Sequence, residues 1–388
     1  MSNTNQGSLI FAPAEISAIR LQLLDWYQSH GRVLPWRDNE GDAYRIVVSE
    51  MMLVQTTVAT VKSYYQRFLD RFPTVHDLAR AEVSDVLKMW EGLGYYRRAT
   101  QLHSMARQVV EDYEGKFPEN EADLLKLKGV GRYIAGAIRS FAFNQPAPIL
   151  EANTIRVHAR LAALDESIND AKTLKKLWNQ AELLVDPDRP GDFNQAMMDL
   201  GAMICTPNTP SCLICPVSEL CQSYQKGLTA KIPVKPPKNP AKTGKESALL
   251  IINGHDHSIL LKQRPSSGLW SDFWEIPTFW TSGADPAKRA DTGWSWDGSP
   301  PSFASSILYA LGAEPDQPEP LQIKTIPYVV TTHKMELTLY ELRFDPSSLF
   351  GKSLLKLKHP FSFFSPHAMS RLTISSPHRR LLRHLEGR

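Results

Sequence analysis

The sequence lacks any hydrophobic run that could cross a membrane, because no stretch approaches the roughly 18 apolar residues that a transmembrane helix needs. Its N-terminal residues contain neither a basic segment nor a long apolar core, so we expect no secretion signal. The formal net charge is only +3, which excludes nucleic-acid binding through a strong global field. These absences predict a cytoplasmic protein without a membrane partner, and we expect it to be a monomer.

Cysteine is also scarce, and the chain has only four cysteines. They are Cys205, Cys212, Cys215 and Cys221, all within one short window with the spacing C-x6-C-x2-C-x5-C. Four thiolates placed in this way can converge on one soft metal centre, either zinc or an iron–sulfur cluster. A zinc ribbon usually pairs two C-x2-C units, whereas this window has one such unit between wider gaps.

Apolar periodicity changes along the chain. Residues 1–225 show helical spacing interrupted by glycine and proline, which predicts many short helices. A segment rich in proline and lysine predicts a linker at 226–246. Alternating runs after it predict an α/β domain at 247–350 that opens with a hairpin. The last stretch, 351–388, has eight Lys or Arg and one acid, so we expect a basic tail.

Glycines before a predicted helix suggest a phosphate-binding turn. The segment from Leu127 to Gly136 resembles a helix–hairpin–helix motif, in which the backbone N–H groups of Gly129, Val130 and Gly131 would face DNA phosphate. The sequence Ile149-Leu-Glu-Ala-Asn153 and then the cysteine window follow it. This order resembles the helix–hairpin–helix glycosylases, including endonuclease III, and implies one 4Fe-4S cluster held by the four cysteines.

Further segments narrow the resemblance to MutY-type adenine DNA glycosylases. The segments are Leu34-Pro-Trp-Arg37, Ser49-Glu-Met-Met-Leu-Val-Gln-Thr56, Trp90-Glu-Gly-Leu-Gly-Tyr-Tyr-Arg97 and the run from Phe193 to Cys205. The resemblance implies a multidomain fold: an all-α helix–hairpin–helix glycosylase with an iron–sulfur loop, followed by an α/β Nudix-like domain. It also implies a DNA repair enzyme that acts on double-stranded DNA and removes adenine opposite 8-oxoguanine or guanine.

The resemblance assigns the catalytic residues. Glu50 would protonate adenine, and its apolar neighbours should raise its pKa. Glu151 stands where the family has Asp, and it would stabilise the sugar cation with help from Asn153. Bifunctional relatives carry a lysine where this chain has Tyr133, and a phenol cannot form a Schiff base with the sugar. The residues therefore predict a monofunctional glycosylase that leaves an abasic site.

The same resemblance assigns DNA-contacting residues. Gln55 and Tyr95 would fill the gap that a flipped base leaves in the duplex. Four side chains would line the adenine pocket, and Gln195 among them suits adenine because an amide can pair with its edge. These four are Arg32, Trp36, Arg37 and Gln195.

The C-terminal region resembles a Nudix domain without nucleotide hydrolysis, because residues 301–314 have Ala and Ser where magnesium-binding glutamates belong. The resemblance gives such a domain the task of recognising 8-oxoguanine. Its Phe-Ser-His signature appears here as Thr331-Thr-His333, so Thr332 and His333 are the candidate contacts.

Three alternatives remain open from the sequence. One is a mismatch glycosylase for another base, such as thymine or uracil. A second is a lesion sensor that binds DNA without cleaving it, because Glu151 is longer than the family Asp. A third is a structural protein whose cysteines bind zinc.

Overall fold

A computed structural model describes residues 11–38, 41–236, 240–283 and 320–383. The chain divides into two compact units, Met1–Met89 with Arg97–Lys238 and Trp90–Tyr96 with Asn239–Arg388. Among the described residues, no helix combines the length and apolar character needed to cross a membrane.

The first unit is helical, as the sequence predicts. Several helices begin at side-chain caps: the side chains of Asp42, Thr57 and Thr74 each accept a hydrogen bond from a backbone N–H in the following turn. In chain order the helices are α1 (Pro13–His30), α2 (Ala43–Leu53), α3 (Val58–Arg71), α4 (Val75–Arg80), α5 (Val83–Met89), α6 (Arg97–Tyr113), α7 (Glu121–Leu124), α8 (Arg132–Phe141), α9 (Ala152–Leu161), α10 (Ala171–Leu184), α11 (Pro190–Met203) and α12 (Gln222–Gln225), with 3-10 turns at Cys212–Ile214 and Ser218–Leu220.

A buried apolar cluster joins α1, α9 and α11 through residues such as Leu23, Val157 and Met197. The side chains of Cys205 and Cys215 pack against this cluster. The cysteine window is therefore attached to the same core that positions α9 and α11.

The second unit is built on one mixed sheet. Its elements are β1 (Lys242–Asn253), β2 (Ile259–Gln263), β3 (Trp274–Glu275), β4 (Thr278–Gly283), β5 (Leu321–Val330), β6 (His333–Phe344), α13 (Leu349–Leu354), β7 (Phe361–Phe364), α14 (Pro366–Met369) and α15 (Ser376–Leu382). The strand order is β3-β2-β1-β6-β5, β4 also pairs with β1, and β7 pairs with β2. Only the β1–β6 pair is parallel among the described ladders.

Strand alternation puts apolar residues on both faces of β1. Leu250 and Ile252 share a core with Leu381 of α15. Leu249 shares a different core with Phe350 of α13. Helices therefore cover both faces of the sheet, which is the layering of an α/β domain.

The structure differs from the sequence at the expected linker, 226–246. Ile232 is buried against the core between α9 and α10, and the backbone of Val234 pairs with that of Ser167. β1 begins at Lys242, within the same segment. The composition indicated a linker because few of these side chains are apolar. The burial of Ile232, the backbone pairing of Val234 and the start of β1 at Lys242 nevertheless attach parts of this segment to folded elements.

The described part of the expected basic tail, 351–383, contains folded elements. Its strand β7 pairs with β2, and Ile374 and Leu381 are fully buried in the sheet core. The sequence analysis did not identify these apolar positions as buried, because the segment is rich in Lys and Arg. The stretch 301–314, which lacks the Nudix glutamates, lies outside the described residues.

Candidate active site

A cavity of about 1200 Å³ opens in the helical unit between α2, the loop before it, and the N-terminal ends of α8 and α9. Nine residues singled out from the sequence line it. They are Arg32, Trp36, Arg37, Glu50, Gln55, Tyr133, Glu151, Asn153 and Gln195.

Glu50 lies on α2 and is only 4% exposed. Burial raises the pKa of its carboxyl to about 7, while the hydrogen bond from Tyr133 and the charge of Arg37 oppose that shift and the nearby Glu151 adds to it. The Tyr133 hydroxyl donates a hydrogen bond to Glu50 Oε2. Burial also raises the pKa of Tyr133 well above its usual value, so the phenol keeps its proton and remains a donor.

Glu151 is the N-cap of α9. Its Oε1 accepts hydrogen bonds from the backbone N–H of Asn153 at 2.8 Å and of Thr154 at 3.1 Å. The side-chain amide of Asn153 donates to Glu151 Oε2 at 3.3 Å. The carboxylate of Glu151 therefore turns back onto the first turn of its own helix.

A buried arginine connects this cap to the cysteine window. Arg156 donates to Asn153 Oδ1 at 3.0 Å, to the carbonyl oxygen of Gly201 at 2.7 Å and to the carbonyl oxygen of Cys205 at 2.7 Å. The sequence analysis missed Arg156. The available signal was an arginine five positions after Glu151, on the helix that Glu151 caps.

The predicted pocket arginines are held by a residue that the sequence analysis also missed. Arg32 and Arg37 form salt bridges of 2.6 and 2.7 Å with Asp199, whose side chain is fully buried. Burial alone would raise the pKa of Asp199, but the two guanidinium groups hold it below its usual range. Arg37 also lies over the ring of Tyr27, 5.6 Å from its centroid. Both arginines are thus fixed at the cavity wall.

The base-recognition candidates are likewise fixed by packing. The hydroxyl of Tyr27 donates to Gln195 Oε1 at 2.7 Å, which leaves the amide NH2 of Gln195 to face other partners. Trp36 is 7% exposed and meets Tyr65 edge to face, with 5.6 Å between ring centroids. Its contact with Tyr65 limits the surface that Trp36 can offer to a base.

The two residues expected to fill the gap left by a flipped base, Gln55 and Tyr95, both have a left-handed backbone conformation. Gln55 has φ 60° and Tyr95 has φ 49°, a region that costs a side-chain-bearing residue free energy. Gln55 lines the cavity, whereas Tyr95 is 54% exposed and belongs to the segment 90–96 of the second unit. Strain at exposed side chains of this kind is typical of functional turns.

The hairpin glycines differ from one another. Gly129 has φ 80°, and a Cβ there would lie 2.8 Å from Gln101 Cβ. Gly131 is the N-cap of α8, and a Cβ there would meet nothing within 4 Å. Val130 between them is 7% exposed and anchors the turn. The protein's own packing therefore requires glycine at 129 but not at 131.

The four cysteines are half-buried. Burial raises the pKa of Cys215 to about 12, and the neighbouring cysteines add to that shift. Arg160 is 2% exposed and donates to Cys205 Sγ at 3.3 Å and to the carbonyl oxygen of Thr206 at 2.7 Å. No three His, Cys, Asp or Glu side chains within the described ranges meet closely enough to hold a single ion.

The second unit carries the last two candidates. Thr332 and His333 follow Thr331, whose φ is 51°, at the turn between β5 and β6. The hydroxyl of Thr331 lies 3.5 Å from His333 Nδ1, and the carbonyl oxygen of Thr332 accepts from the backbone N–H of Lys242. The turn is thus tied to the start of β1.

Comparisons with known proteins agree with this architecture. Residues 48–182 match the family model of the HhH-GPD superfamily base excision DNA repair protein, and residues 247–384 match that of the NUDIX domain. An adenine DNA glycosylase of Buchnera aphidicola subsp. Schizaphis graminum is 35% identical over 258 residues, which cover 66% of this chain and 74% of that protein. The chain belongs to the adenine DNA glycosylase family.

A plant and a human adenine DNA glycosylase match the chain as well. The Arabidopsis thaliana adenine DNA glycosylase is 39% identical over 318 residues, 72% of this chain and 50% of that protein. The human one is 39% identical over 316 residues, 68% of this chain and 58% of that protein. The chain thus spans half to three-fifths of the length of these two relatives. A solved thermostable thymine-DNA glycosylase is 32% identical, with a TM-score of 0.49 over 55% of this chain and 98% of that one.

Membership confirms the predicted fold, a helical helix–hairpin–helix domain followed by an α/β Nudix-like domain.

Proposed function

We propose that this adenine DNA glycosylase family member removes adenine that lies opposite 8-oxoguanine or guanine in double-stranded DNA. The observation that carries this proposal is Glu50, a buried carboxyl with a pKa raised to about 7 in a cavity wide enough for a base. Such a group holds a proton near neutral pH and can give it to a ring nitrogen of adenine.

Protonation weakens the bond between adenine and the sugar. The bond then breaks with development of positive charge on the deoxyribose, as in glycoside hydrolysis. Glu151 supplies negative charge beside that cation, and Asn153 keeps the carboxylate in place. Water adds to the sugar and leaves an abasic site.

The enzyme is monofunctional in this proposal. Strand cleavage by a Schiff-base mechanism needs an amine, and position 133 carries a phenol. The hydrogen bond from Tyr133 to Glu50 supports a different task, which is to hold the catalytic carboxyl in position.

DNA binding is proposed to use the hairpin amides, Gln55 and Tyr95. The N-terminal end of α8 presents backbone N–H groups beside Gly131, where nothing in the protein would block a phosphate. Gln55 and Tyr95 would replace the flipped adenine in the duplex. The amide of Gln195 would then meet the adenine edge, beside the arginines held by Asp199.

One 4Fe-4S cluster is proposed on the four cysteines. An all-thiolate donor set suits an iron–sulfur cluster or structural zinc, and the family spacing favours the cluster. When bound, the cluster would crosslink residues 205–221. Arg156 and Arg160 already hold the start of this window from α9, and Arg160 would donate to a ligating sulfur.

Recognition of 8-oxoguanine is proposed for Thr332 and His333. Their turn has a strained residue beside it, and Thr332 is exposed with its backbone fixed to β1. Substitution His333→Ala should reduce the ratio of excision rates for adenine opposite 8-oxoguanine and opposite guanine, while Lys334→Ala serves as the control.

A panel of duplexes tests the proposal directly. Each carries adenine, thymine or uracil opposite 8-oxoguanine or guanine, and strand breaks are counted before and after treatment with alkali. Breaks that need alkali and occur only with adenine support a monofunctional adenine glycosylase. Release of thymine or uracil instead would establish the mismatch-glycosylase alternative, and tight binding without release would establish the lesion sensor.

A further inference from the structure

Arg98 lies on α6 and is only 7% exposed, yet its guanidinium faces the end of another helix. Nη1 donates to the carbonyl oxygens of Met51, Met52 and Val54 at 2.7, 2.8 and 2.5 Å. Nη2 donates to Thr56 Oγ1 at 3.0 Å. All four acceptors belong to the C-terminal end of α2 and the turn that follows it.

This arrangement satisfies carbonyl groups that a helix end leaves without partners, and it places a positive charge where the helix dipole favours one. It also encloses one residue. Gln55 lies between Val54 and Thr56, both of which Arg98 binds, and Gln55 has the left-handed φ of 60°. A side-chain-bearing residue keeps such a conformation only where its neighbours enforce it.

We propose that Arg98 is a positioning residue that fixes the orientation of Gln55 at the cavity. The inference rests on the proposed function, because Gln55 is there assigned to fill the space of the flipped adenine. The contacts of Arg98 also connect to the last turn of α2. Val54, whose carbonyl oxygen Arg98 binds, donates its backbone N–H to the carbonyl oxygen of Glu50 at 3.2 Å.

Arginine suits this position better than lysine. Its planar guanidinium presents two nitrogens at once, so the two N–H groups of Nη1 serve the three carbonyl oxygens while Nη2 donates to the Thr56 hydroxyl. A lysine ammonium keeps the charge but has three donors on a flexible stem. Arg98→Lys therefore loosens the turn while leaving a cation in the protein.

A double-mutant cycle between Arg98→Lys and Gln55→Ala tests the proposal in the full-length protein. The readout is base flipping, measured as the fluorescence rise of 2-aminopurine placed opposite 8-oxoguanine in a duplex. Unfolding temperature is measured in parallel for every variant. Arg97→Lys is the matched control, because Arg97 is the exposed neighbour of Arg98 on α6.

We expect Arg98→Lys alone to reduce the flipping equilibrium about 10-fold, a size that is common for coupled neighbours. In the Gln55→Ala background it should change flipping by less than about 2-fold, because Arg98 acts through Gln55. Arg97→Lys should leave flipping unchanged. Equal losses from Arg98→Lys in both backgrounds would overturn the proposal, since they would mean a merely structural role.

A second cycle covers the case in which Arg98→Lys does not fold. Thr56→Val removes the hydroxyl that accepts from Nη2 and leaves the three carbonyl acceptors of Arg98 in place. It should show the same coupling to Gln55 with a smaller loss of flipping, and additive effects would again refute the positioning role. A wild-type protein that flips no base would instead refute the proposed function, and the positioning role with it.

Discussion

Two glutamates in one cavity have different surroundings. Glu50 is buried on α2, and burial raises its pKa to about 7. Glu151 caps α9, and its Oε1 accepts hydrogen bonds from two backbone N–H groups. Cleavage of a glycosidic bond needs one carboxyl that gives a proton and one that stabilises a cation. In the proposed reaction, Glu50 would take the first task and Glu151 the second.

Glu151→Gln separates charge from helix capping. An amide oxygen can still accept from the backbone N–H groups of Asn153 and Thr154, so the unfolding free energy should change by less than about 1 kcal/mol. Excision of adenine in a single turnover should fall about 100-fold or more, because the negative charge beside the sugar cation is lost. A Glu151→Gln rate within a few-fold of wild type would show that the charge of Glu151 has no catalytic role.

Glu151→Asp is the companion variant, because aspartate also caps helices. In an enzyme adapted to glutamate, the shorter carboxylate is displaced and excision slows, and a shift near 1 Å can cost about 100-fold. A gain in excision would support the lesion-sensor alternative.

At the residue scale, the sequence predicts those properties of a side chain that depend on residues close to it in the chain. The apolar residues around Glu50 in the sequence indicated a raised pKa for its carboxyl, and burial in the structure raises that pKa. The contacts of Asp199 could not be foreseen in this way, because its partners Arg32 and Arg37 lie more than 160 positions earlier in the chain. The pairing of Tyr27 with Gln195 has the same origin.

Helix ends organise the site at the scale of elements. Gly131 is the N-cap of α8 and Glu151 is the N-cap of α9, while Arg98 binds the C-terminal end of α2. Backbone groups at helix ends lack partners within the helix, so they are available to bind side chains, phosphates or substrate. The functional candidates lie where these groups are exposed.

The two hairpin glycines give a matched pair of predictions. Gly131→Ala should weaken binding to duplex DNA while the unfolding free energy falls by about 1 kcal/mol at most, because the added methyl meets only solvent or a phosphate. Gly129→Ala should lower the unfolding free energy by about 1–2 kcal/mol or more, because of its positive φ and the contact with Gln101. DNA titrations and denaturant unfolding separate the two effects. Unaltered DNA binding by Gly131→Ala would remove the hairpin from the proposed interface.

Strand positions were predictable where turn residues and alternation occur together. The hairpin predicted at the opening of the α/β domain corresponds to the antiparallel pair of β1 and β2. The early start of β1 was not predicted, because Lys242 and Thr243 join the sheet through backbone pairing with β6 rather than through buried side chains. Backbone pairing leaves no signal in composition.

At the scale of the whole molecule, the cations within the described residues 351–383 do not form a separate tail. Lys352 belongs to α13, which packs on one face of the sheet. Arg380 belongs to α15, which packs on the other face. The basic residues of this region are thus distributed over two layers of a folded domain, which the net charge of the segment could not indicate.

Truncation after residue 350 tests this reading. It removes β7 and α15, and with them the fully buried side chains of Ile374 and Leu381. Loss of several such side chains costs about 2–5 kcal/mol each, so the sheet unit should lose its cooperative unfolding transition. A cut after residue 383 is the control and should leave that transition in place. An unchanged unfolding transition after truncation at residue 350 would support the interpretation of 351–388 as a tail.

The central claim is that Glu50 gives a proton to adenine, and single-turnover excision across pH tests it most directly. Adenine opposite 8-oxoguanine is the substrate, with wild type, Glu50→Gln and Tyr133→Phe compared. Because burial raises the pKa of Glu50 to about 7, the carboxyl is protonated below that pH, and the wild-type rate should fall as pH rises through it. Tyr133→Phe removes a hydrogen bond that opposes the shift, so its decline should move to higher pH. Glu50→Gln should lose about 100-fold or more below pH 7, where the wild-type carboxyl holds its proton, and its residual rate should not show this decline with pH. A Glu50→Gln protein that excises adenine at the wild-type rate would contradict the claim.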